Sequence, residues 1–237
     1  MLPIRRFTVS LLLCVCASSL SGQGYRTFKS ADGREMEAKI IHVNQDEVRI
    51  ERKADQRNFT VPIRTFSEDD RSYIRNWDQM QRLSRDDALG IRISRSRTGK
   101  EKQESLAIKE ENWKSGYAIA VSNETFGDFD DLELHYRIFK FDEKRAASSR
   151  GEGEMERKSG KFEIPKLRRD ETVEHETEKF EMSASALKEG WYYTNGGRKK
   201  DKDELDGCWV RVYKDGKIVH ETALPTAVMR QERWDVN

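Results

Sequence analysis

The chain has 237 residues, of which 35% are hydrophobic and 37% are charged. Ordinary globular domains are about 45–50% apolar and about 25% charged, so the composition argues against one large hydrophobic core and favours two small domains. Lysine and arginine number 44 against 43 acidic residues, and this balance excludes a general attraction to nucleic acid or to anionic membranes. Small β domains with one solvated face need fewer apolar side chains and fit this composition.

The first residues have the layout of a secretory signal peptide. Arg5 and Arg6 form a positive segment, an apolar run of about ten residues follows from Phe7 to Ala17, and small residues come next. The apolar run is too short to anchor the chain across a bilayer. The sequence therefore predicts a signal peptide over residues 1–22. It predicts an exported protein, periplasmic or extracellular, whose mature chain has no membrane span.

Cysteine usage agrees with a protein that does not depend on disulfides. Cys14 and Cys16 lie in the predicted signal peptide, so the mature chain keeps only Cys208 and can form no intrachain disulfide. Cys208 lies in an apolar alternation and is predicted to be a buried, inert thiol.

The first domain, residues 23–78, is predicted to be a small β-barrel that ends in a helix. Apolar and polar residues alternate in four short segments, and Pro62 ends the last of them because proline cannot donate to a strand ladder. Ser67 is predicted to cap the helix, since Asp70 three residues later completes a capping-box pattern. The strands are predicted over residues 25–29, 36–41, 47–51 and 59–61, with Phe59 and Val61 facing inward on the last of them.

This domain resembles a known family through an ordered series of short motifs. They are Tyr25-Arg-Thr-Phe28, Ser30-Ala-Asp-Gly33, Glu37-Ala-Lys-Ile-Ile41, Val48-Arg-Ile50, Phe59-Thr-Val-Pro62 and Ser67-Glu-Asp-Asp70 followed by Tyr73-Ile74. Together they resemble SLA homology domain 1, a family with a Src-homology-3-like barrel, and they cover about a quarter of the chain. The founding member lies in an endocytic actin-patch adaptor and binds peptides that contain Asn-Pro-Phe-x-Asp. Similar stretches occur in secreted bacterial proteins of unknown role.

The resemblance implies a barrel and a protein-binding role, but no particular partner. An exported chain does not meet cytosolic endocytic cargo, and no peptide-contact residue can be matched one by one. The family's contact residues are therefore not carried over.

The second domain, residues 91–237, is predicted to be a β-sandwich, joined to the first by a polar linker over residues 79–90. Its clearest strands surround Tyr117 to Val121 and Leu132 to Ile138, and Asp215-Gly216 is a strong two-residue hairpin signal. The run from Leu205 to Tyr213, which includes Trp209, resembles a strand of immunoglobulin and fibronectin type III sandwiches. The hallmark disulfide of antibody domains is absent.

Two polar segments are predicted to interrupt this sandwich as unordered insertions. Residues 142–160 and 195–206 are rich in charged residues, serine and glycine, and contain few apolar side chains that could be buried on folding.

No catalytic constellation, metal site or cofactor motif is predicted. His135 and His175 lie on strands beside acidic residues. A metal ion held by these two histidines across neighbouring strands is the one enzymatic alternative that the histidines offer. The acidic residues around Asp128 lack the remote glutamate of a calcium loop, and they suit a polar turn. Neither a serine nucleophile elbow nor a phosphate-binding glycine loop is present.

Four tryptophans are the candidate binding residues, with burial at the edge of a core as the alternative for each. Aromatic side chains on small β domains form hot spots for protein partners or platforms for sugars. The candidates are Trp77, Trp113, Trp191 and Trp234.

Three functions follow from these observations. The first is an exported, non-catalytic adaptor or scaffold whose barrel recognises a protein or peptide. The alternative is binding of a carbohydrate or cell-wall polymer by the sandwich. The third is a metal-assisted hydrolase built on His135 and His175.

Overall fold

The computed structural model describes residues 24–234, so the predicted signal peptide lies outside the described residues. These residues form a mainly β protein built from antiparallel sheets, which confirms the predicted fold class. The chain divides into two compact units, with the boundary between Asn76 and Trp77. No helix within residues 24–234 combines the length and the apolar character needed to cross a membrane.

Unit 1 is an antiparallel meander in which each strand pairs with the next. Its elements are β1 (Arg26–Lys29), β2 (Glu35–Asn44), β3 (Glu47–Arg52), β4 (Asn58–Pro62), a 3-10 helix (Ile63–Thr65) and the first part of α1 (Glu68–Leu83). After the 3-10 helix the chain returns to β1, where the Ser67 amide donates to the Lys29 carbonyl at 2.8 Å and Ser30 bridges Phe66. Strand β1 therefore has partners on both edges, and the sheet curls round its own core.

The core of unit 1 uses the alternating positions that the sequence indicated on β2 and β3, whereas Phe59 on β4, predicted to face inward, is 36% exposed. Phe28 is 1% exposed and meets the ring of Phe66 edge-on at 5.6 Å, while Ile74 on α1 is fully buried. Ser67 caps α1 as predicted, because its Oγ accepts from the Asp70 amide at 3.4 Å. The other buried apolar residues here are Ala38, Ile40, Val48, Ile50, Ile63 and Phe66.

Unit 2 contains two antiparallel sheets that share one hydrophobic core. The first sheet has the order β11-β10-β6-β5, with β9 paired to the other half of β6; the second has the order β13-β12-β7-β8. The strands are β5 (Leu89–Glu104), β6 (Ile108–Asn123), β7 (Phe129–Glu143), β8 (Gly153–Leu167), β9 (Thr172–Glu176), β10 (Phe180–Leu187), β11 (Lys200–Lys202), β12 (Glu204–Lys214) and β13 (Lys217–Leu224), and a short helix α2 (Val228–Gln231) follows.

The prediction of two unordered insertions is wrong for about half of their length. Strand β7 continues to Glu143, and β8 begins at Gly153, so the first segment mainly extends a long hairpin. In the second segment, residues 200–202 belong to β11 and residues 204–206 belong to β12. The backbone hydrogen bonds of a ladder order these residues without requiring an apolar face on both sides.

The residues assigned to a linker, 79–90, belong to the packed structure of unit 2. They contain the end of α1 and the first residues of β5. The side chains of Gln79, Leu83, Ala88 and Leu89 are all buried, and the Gln79 amide donates to Asp130 at 2.7 Å.

The predicted hairpin and the predicted buried thiol are both present. Asp215 and Gly216 have φ values of 50° and 71° and join β12 to β13, as a two-residue turn of this type requires. Cys208 is a free, fully buried cysteine, and burial raises the pKa of its thiol to about 12. A thiol with that pKa is protonated at neutral pH and is a poor nucleophile.

Candidate functional site

A groove of about 590 Å³ lies on unit 1 where the 3-10 helix meets the turn between β2 and β3. The Ile63 amide donates to the Asp46 carbonyl at 2.8 Å and holds the two segments together. Gln45 has a φ of 46°, in the left-handed region that this tight turn uses. The groove is lined by Gln45, Asp46, Glu47, Pro62, Ile63, Arg64, Arg71 and Arg75. We call it the unit 1 groove.

Three guanidinium groups and two apolar side chains give this groove its chemistry. Arg71 and Arg75 both pair with Glu68, at 2.5 and 3.6 Å, and so share a single carboxylate. Arg64 forms no ion pair within residues 24–234. Arginine carries five donors in a planar fork and binds carboxylates in a bidentate manner. Asp46 and Glu47 line the groove as well, but within residues 24–234 neither forms an ion pair with the three guanidinium groups. The guanidinium groups therefore keep donors that the carboxylate of Glu68 does not satisfy.

One donor in this group is both buried and unpaired. Among the described side chains, Arg71 Nε is one of three buried polar atoms without a hydrogen-bond partner. A buried polar group left unsatisfied costs roughly 1–3 kcal/mol, and native proteins keep few of them. Because Nε is buried, an acceptor from a bound partner would reach it only after a shift of the Arg71 side chain, and that contact would then remove this cost.

The four predicted binding tryptophans are dispersed, and they form no common site. Trp113 is 7% exposed within the core of unit 2, with the Arg97 guanidinium 4.3 Å from the ring centroid, so the prediction that it binds a partner is wrong. Trp77 is half-buried on α1. Trp234 is half-buried and meets Trp209 edge-on at 5.1 Å, which gives it a packing role near α2.

Trp191 is the one predicted candidate with a large exposed surface. It is 44% exposed, and the adjacent Tyr192 is 76% exposed, in the segment between β10 and β11. The Lys188 amide donates to the Ala107 carbonyl at 2.8 Å, so this segment starts beside the turn that joins β5 to β6. Leu106 in that turn is 81% exposed. We call Leu106, Trp191 and Tyr192 the aromatic tip.

The two histidines that were candidates for binding a metal ion together have separate environments. His135 Nε2 lies 3.1 Å from a Glu133 carboxylate oxygen, whereas His175 stacks on Phe162 with ring centroids 4.1 Å apart. Burial lowers the pKa of His175, and this favours its neutral form. Over residues 24–234, no group of three or more histidine, cysteine, aspartate or glutamate side chains is placed to hold a metal ion.

Sequence comparison assigns the chain to no family. No family model matches it, and no curated protein matches it.

Two solved structures show partial and distant similarity. A crystal structure from Akkermansia muciniphila has 13% identity and a TM-score of 0.25, and the match covers 63% of this chain and 78% of that one. An X-ray structure of a Northeast Structural Genomics Consortium target has 12% identity and a TM-score of 0.21, covering 50% of this chain and 84% of that one. Similarity at this level carries no inference about fold or function.

Proposed function

We propose that the protein is a non-catalytic adaptor, exported from the cytoplasm, whose unit 1 groove binds an extended peptide segment with an acidic side chain. The observation that carries this proposal is the buried, unpaired Arg71 Nε beside a groove that also contains the apolar side chains of Pro62 and Ile63. The curled sheet of unit 1 and its return to β1 also agree with the small barrel that the sequence motifs resemble.

Recognition would combine two kinds of contact in one groove. Pro62 and the largely buried Ile63 offer an apolar surface for a side chain of the peptide. A carboxylate two or three residues away along an extended peptide could accept from Arg71 and from Arg64. Charge-assisted hydrogen bonds of this kind are about twice as strong as neutral ones, and a bidentate pair also fixes orientation.

The test begins with peptides selected from a random library on the full mature chain. We expect the selected sequences to contain an acidic residue beside apolar ones. Arg71→Ala should reduce the affinity for a selected peptide by about ten- to a hundredfold, because a hydrogen bond to a charged group in a partly buried site is worth about 1.5–3 kcal/mol. Fluorescence anisotropy of the labelled peptide measures this change.

Arg49→Ala is the matched control for Arg71→Ala. Arg49 is an exposed arginine on β3 of the same unit and does not line the unit 1 groove. Peptides that bind wild type and Arg71→Ala equally well, or that lose affinity only with Arg49→Ala, would place recognition elsewhere and reject the groove.

A second candidate function rests on the aromatic tip, which could bind a carbohydrate or cell-wall polymer. Trp191 and Tyr192 expose adjacent rings, and aromatic faces are a common platform for the apolar faces of sugars. This role would be independent of the unit 1 groove.

A glycan array probed with the full chain tests this second function. If it holds, Trp191→Ala should reduce the affinity for a bound glycan about tenfold or more. Phe126→Ala is the control, since Phe126 is 84% exposed in the loop between β6 and β7. An array on which the folded wild-type protein binds nothing would exclude glycan recognition for the sugars represented.

A further inference from the structure

Unit 2 contains a cleft of about 570 Å³ at the end of the sheet that carries β6, β10 and β11. The hydrophobic core reaches Trp113 on β6 and Met182 on β10, which are paired in register. Beyond them the same face of the sheet continues for two more rows of side chains. These rows are Glu111, Ala184 and Lys202, then Lys109, Ala186 and Lys200.

The two alanines make the floor of this cleft shallow and apolar. Ala184 and Ala186 are both half-buried, although each has a long charged side chain on either side in its row. Phe141 of β7 adds an aromatic ring to the lining. Ligand pockets of about 300–1,000 Å³ with a mainly apolar lining and a few placed polar groups are the usual size and composition for small-molecule sites.

The rim of the cleft carries an excess of unpaired positive charge. Arg198 is neutralised by Glu143, which also accepts from the Lys202 amide at 3.0 Å. Arg150, Lys200 and Lys202 have no ion pair within residues 24–234, and Asp201 and Glu204, which also line the cleft, supply two opposing charges. The free charges at this cleft are therefore net positive, in a molecule whose overall charge is balanced.

We infer that this cleft binds a small organic anion with a flat apolar body. The apolar body would lie on the methyl groups of Ala184 and Ala186, and the anionic group would lie between Lys200 and Lys202. This site is separate from the unit 1 groove, and the inference does not depend on the proposed peptide recognition.

Two dyes that share a ring system separate the apolar contribution from the charge contribution. We expect the full mature chain to bind anilinonaphthalene sulfonate at one site, at least about tenfold more tightly than the uncharged N-phenylnaphthylamine. The affinity for the sulfonate should fall as salt is added, because the lysines are exposed and their charges are screened. Fluorescence titration measures both affinities.

Two variants and a control assign this binding to the cleft. The double variant K200E/K202E should reduce the affinity for anilinonaphthalene sulfonate about tenfold or more and change the affinity for the neutral dye little. Ala186→Phe should reduce the affinity for both dyes, because the larger side chain fills the floor of the cleft. The control K161E/K217E makes the same change in charge at two exposed lysines that do not line the cleft, and it should bind as wild type does.

Several results would overturn the inference. They are equal affinity for the two dyes, sulfonate binding that survives both K200E/K202E and Ala186→Phe, and no binding of either dye to the folded protein. Near-ultraviolet circular dichroism of each variant confirms that a loss of binding is not a loss of folding.

Discussion

Lys140→Met is expected to destabilise unit 2 by about 3–5 kcal/mol, the range found when one partner of a buried ion pair is removed. The Lys140 side chain is 5% exposed, and its Nζ lies 3.2 to 3.4 Å from carboxylate oxygens of Asp142, Glu156 and Asp203. Asp203 is itself only 4% exposed, so without Lys140 its charge would remain buried and uncompensated. Urea unfolding followed by tryptophan fluorescence measures the loss, since all five tryptophans belong to unit 2.

The destabilisation by Lys140→Met should depend on pH in a defined direction. Burial raises the pKa of Asp203, outweighing the hydrogen bond from the Ser183 amide and the charge of Lys140, which lower it. In the variant the lysine charge is gone, so the folded pKa of Asp203 rises further. The folded state then favours the protonated carboxyl. The deficit relative to wild type should be smallest below about pH 4, the unfolded value for aspartate, and should grow as pH rises through the folded pKa.

Asp203→Asn supplies the matched rescue. The double variant K140M/D203N removes both buried charges, while the asparagine oxygen can still accept from the Ser183 amide. Its stability should return to within about 1–2 kcal/mol of wild type, because a buried ion pair and a neutral replacement are often close in energy. Lys217→Met, at an exposed lysine, should change stability by less than about 0.5 kcal/mol. If K140M/D203N were no more stable than Lys140→Met alone, the charge argument would fail.

The strands that the sequence indicated most directly are those that bury one face. Val48 and Ile50 alternate with charged residues on β3, and both are fully buried, so the period of two indicated the strand directly. Strand β5 gave almost no such signal, because most of its residues after Ile93 are polar and exposed. Its ladder with β6 orders it instead, and backbone pairing leaves no trace in side-chain hydropathy.

The candidate sites were hidden from the sequence for a related reason. Arg71 and Asp46 lie far apart along the chain, and they line one groove only because the Ile63 amide binds the Asp46 carbonyl. The cleft of unit 2 depends on the register that places Ala186 between Lys109 and Lys200. The charged residues that line the groove and the cleft were interpreted as solvated surface, because sequence alone does not say which charges lack partners. A short Pro-Ile-Arg run between a predicted strand and a predicted helix was the one local signal for the unit 1 groove.

The capping pattern at Ser67 and Asp70 was visible in the sequence, but its connection to β1 was not. The Asp70 side chain is 4% exposed and accepts from the Lys29 amide at 2.6 Å, from the Arg26 guanidinium at 2.6 Å and from Ser67 Oγ at 3.2 Å. The carboxylate therefore joins the start of α1 to the edge of the sheet, at the place where unit 1 closes on itself. The Arg26 guanidinium also lies 3.8 Å from the centroid of the Tyr73 ring, which adds a cation–π contact to the same junction.

Asp70→Ala is expected to cost unit 1 about 2–4 kcal/mol, since it leaves the partly buried Lys29 amide unpaired and removes two further hydrogen bonds. Hydrogen–deuterium exchange of the full chain, read on peptides that contain β1, should accelerate by about thirtyfold or more. Asp69→Ala is the matched control, because Asp69 is exposed in the same first turn of α1 and shares only the favourable interaction with the helix dipole. Asp70→Asn keeps an acceptor for the Lys29 amide and should exchange at an intermediate rate. Equal exchange in the Asp69 and Asp70 variants would show that the junction contributes no more than an ordinary helix end.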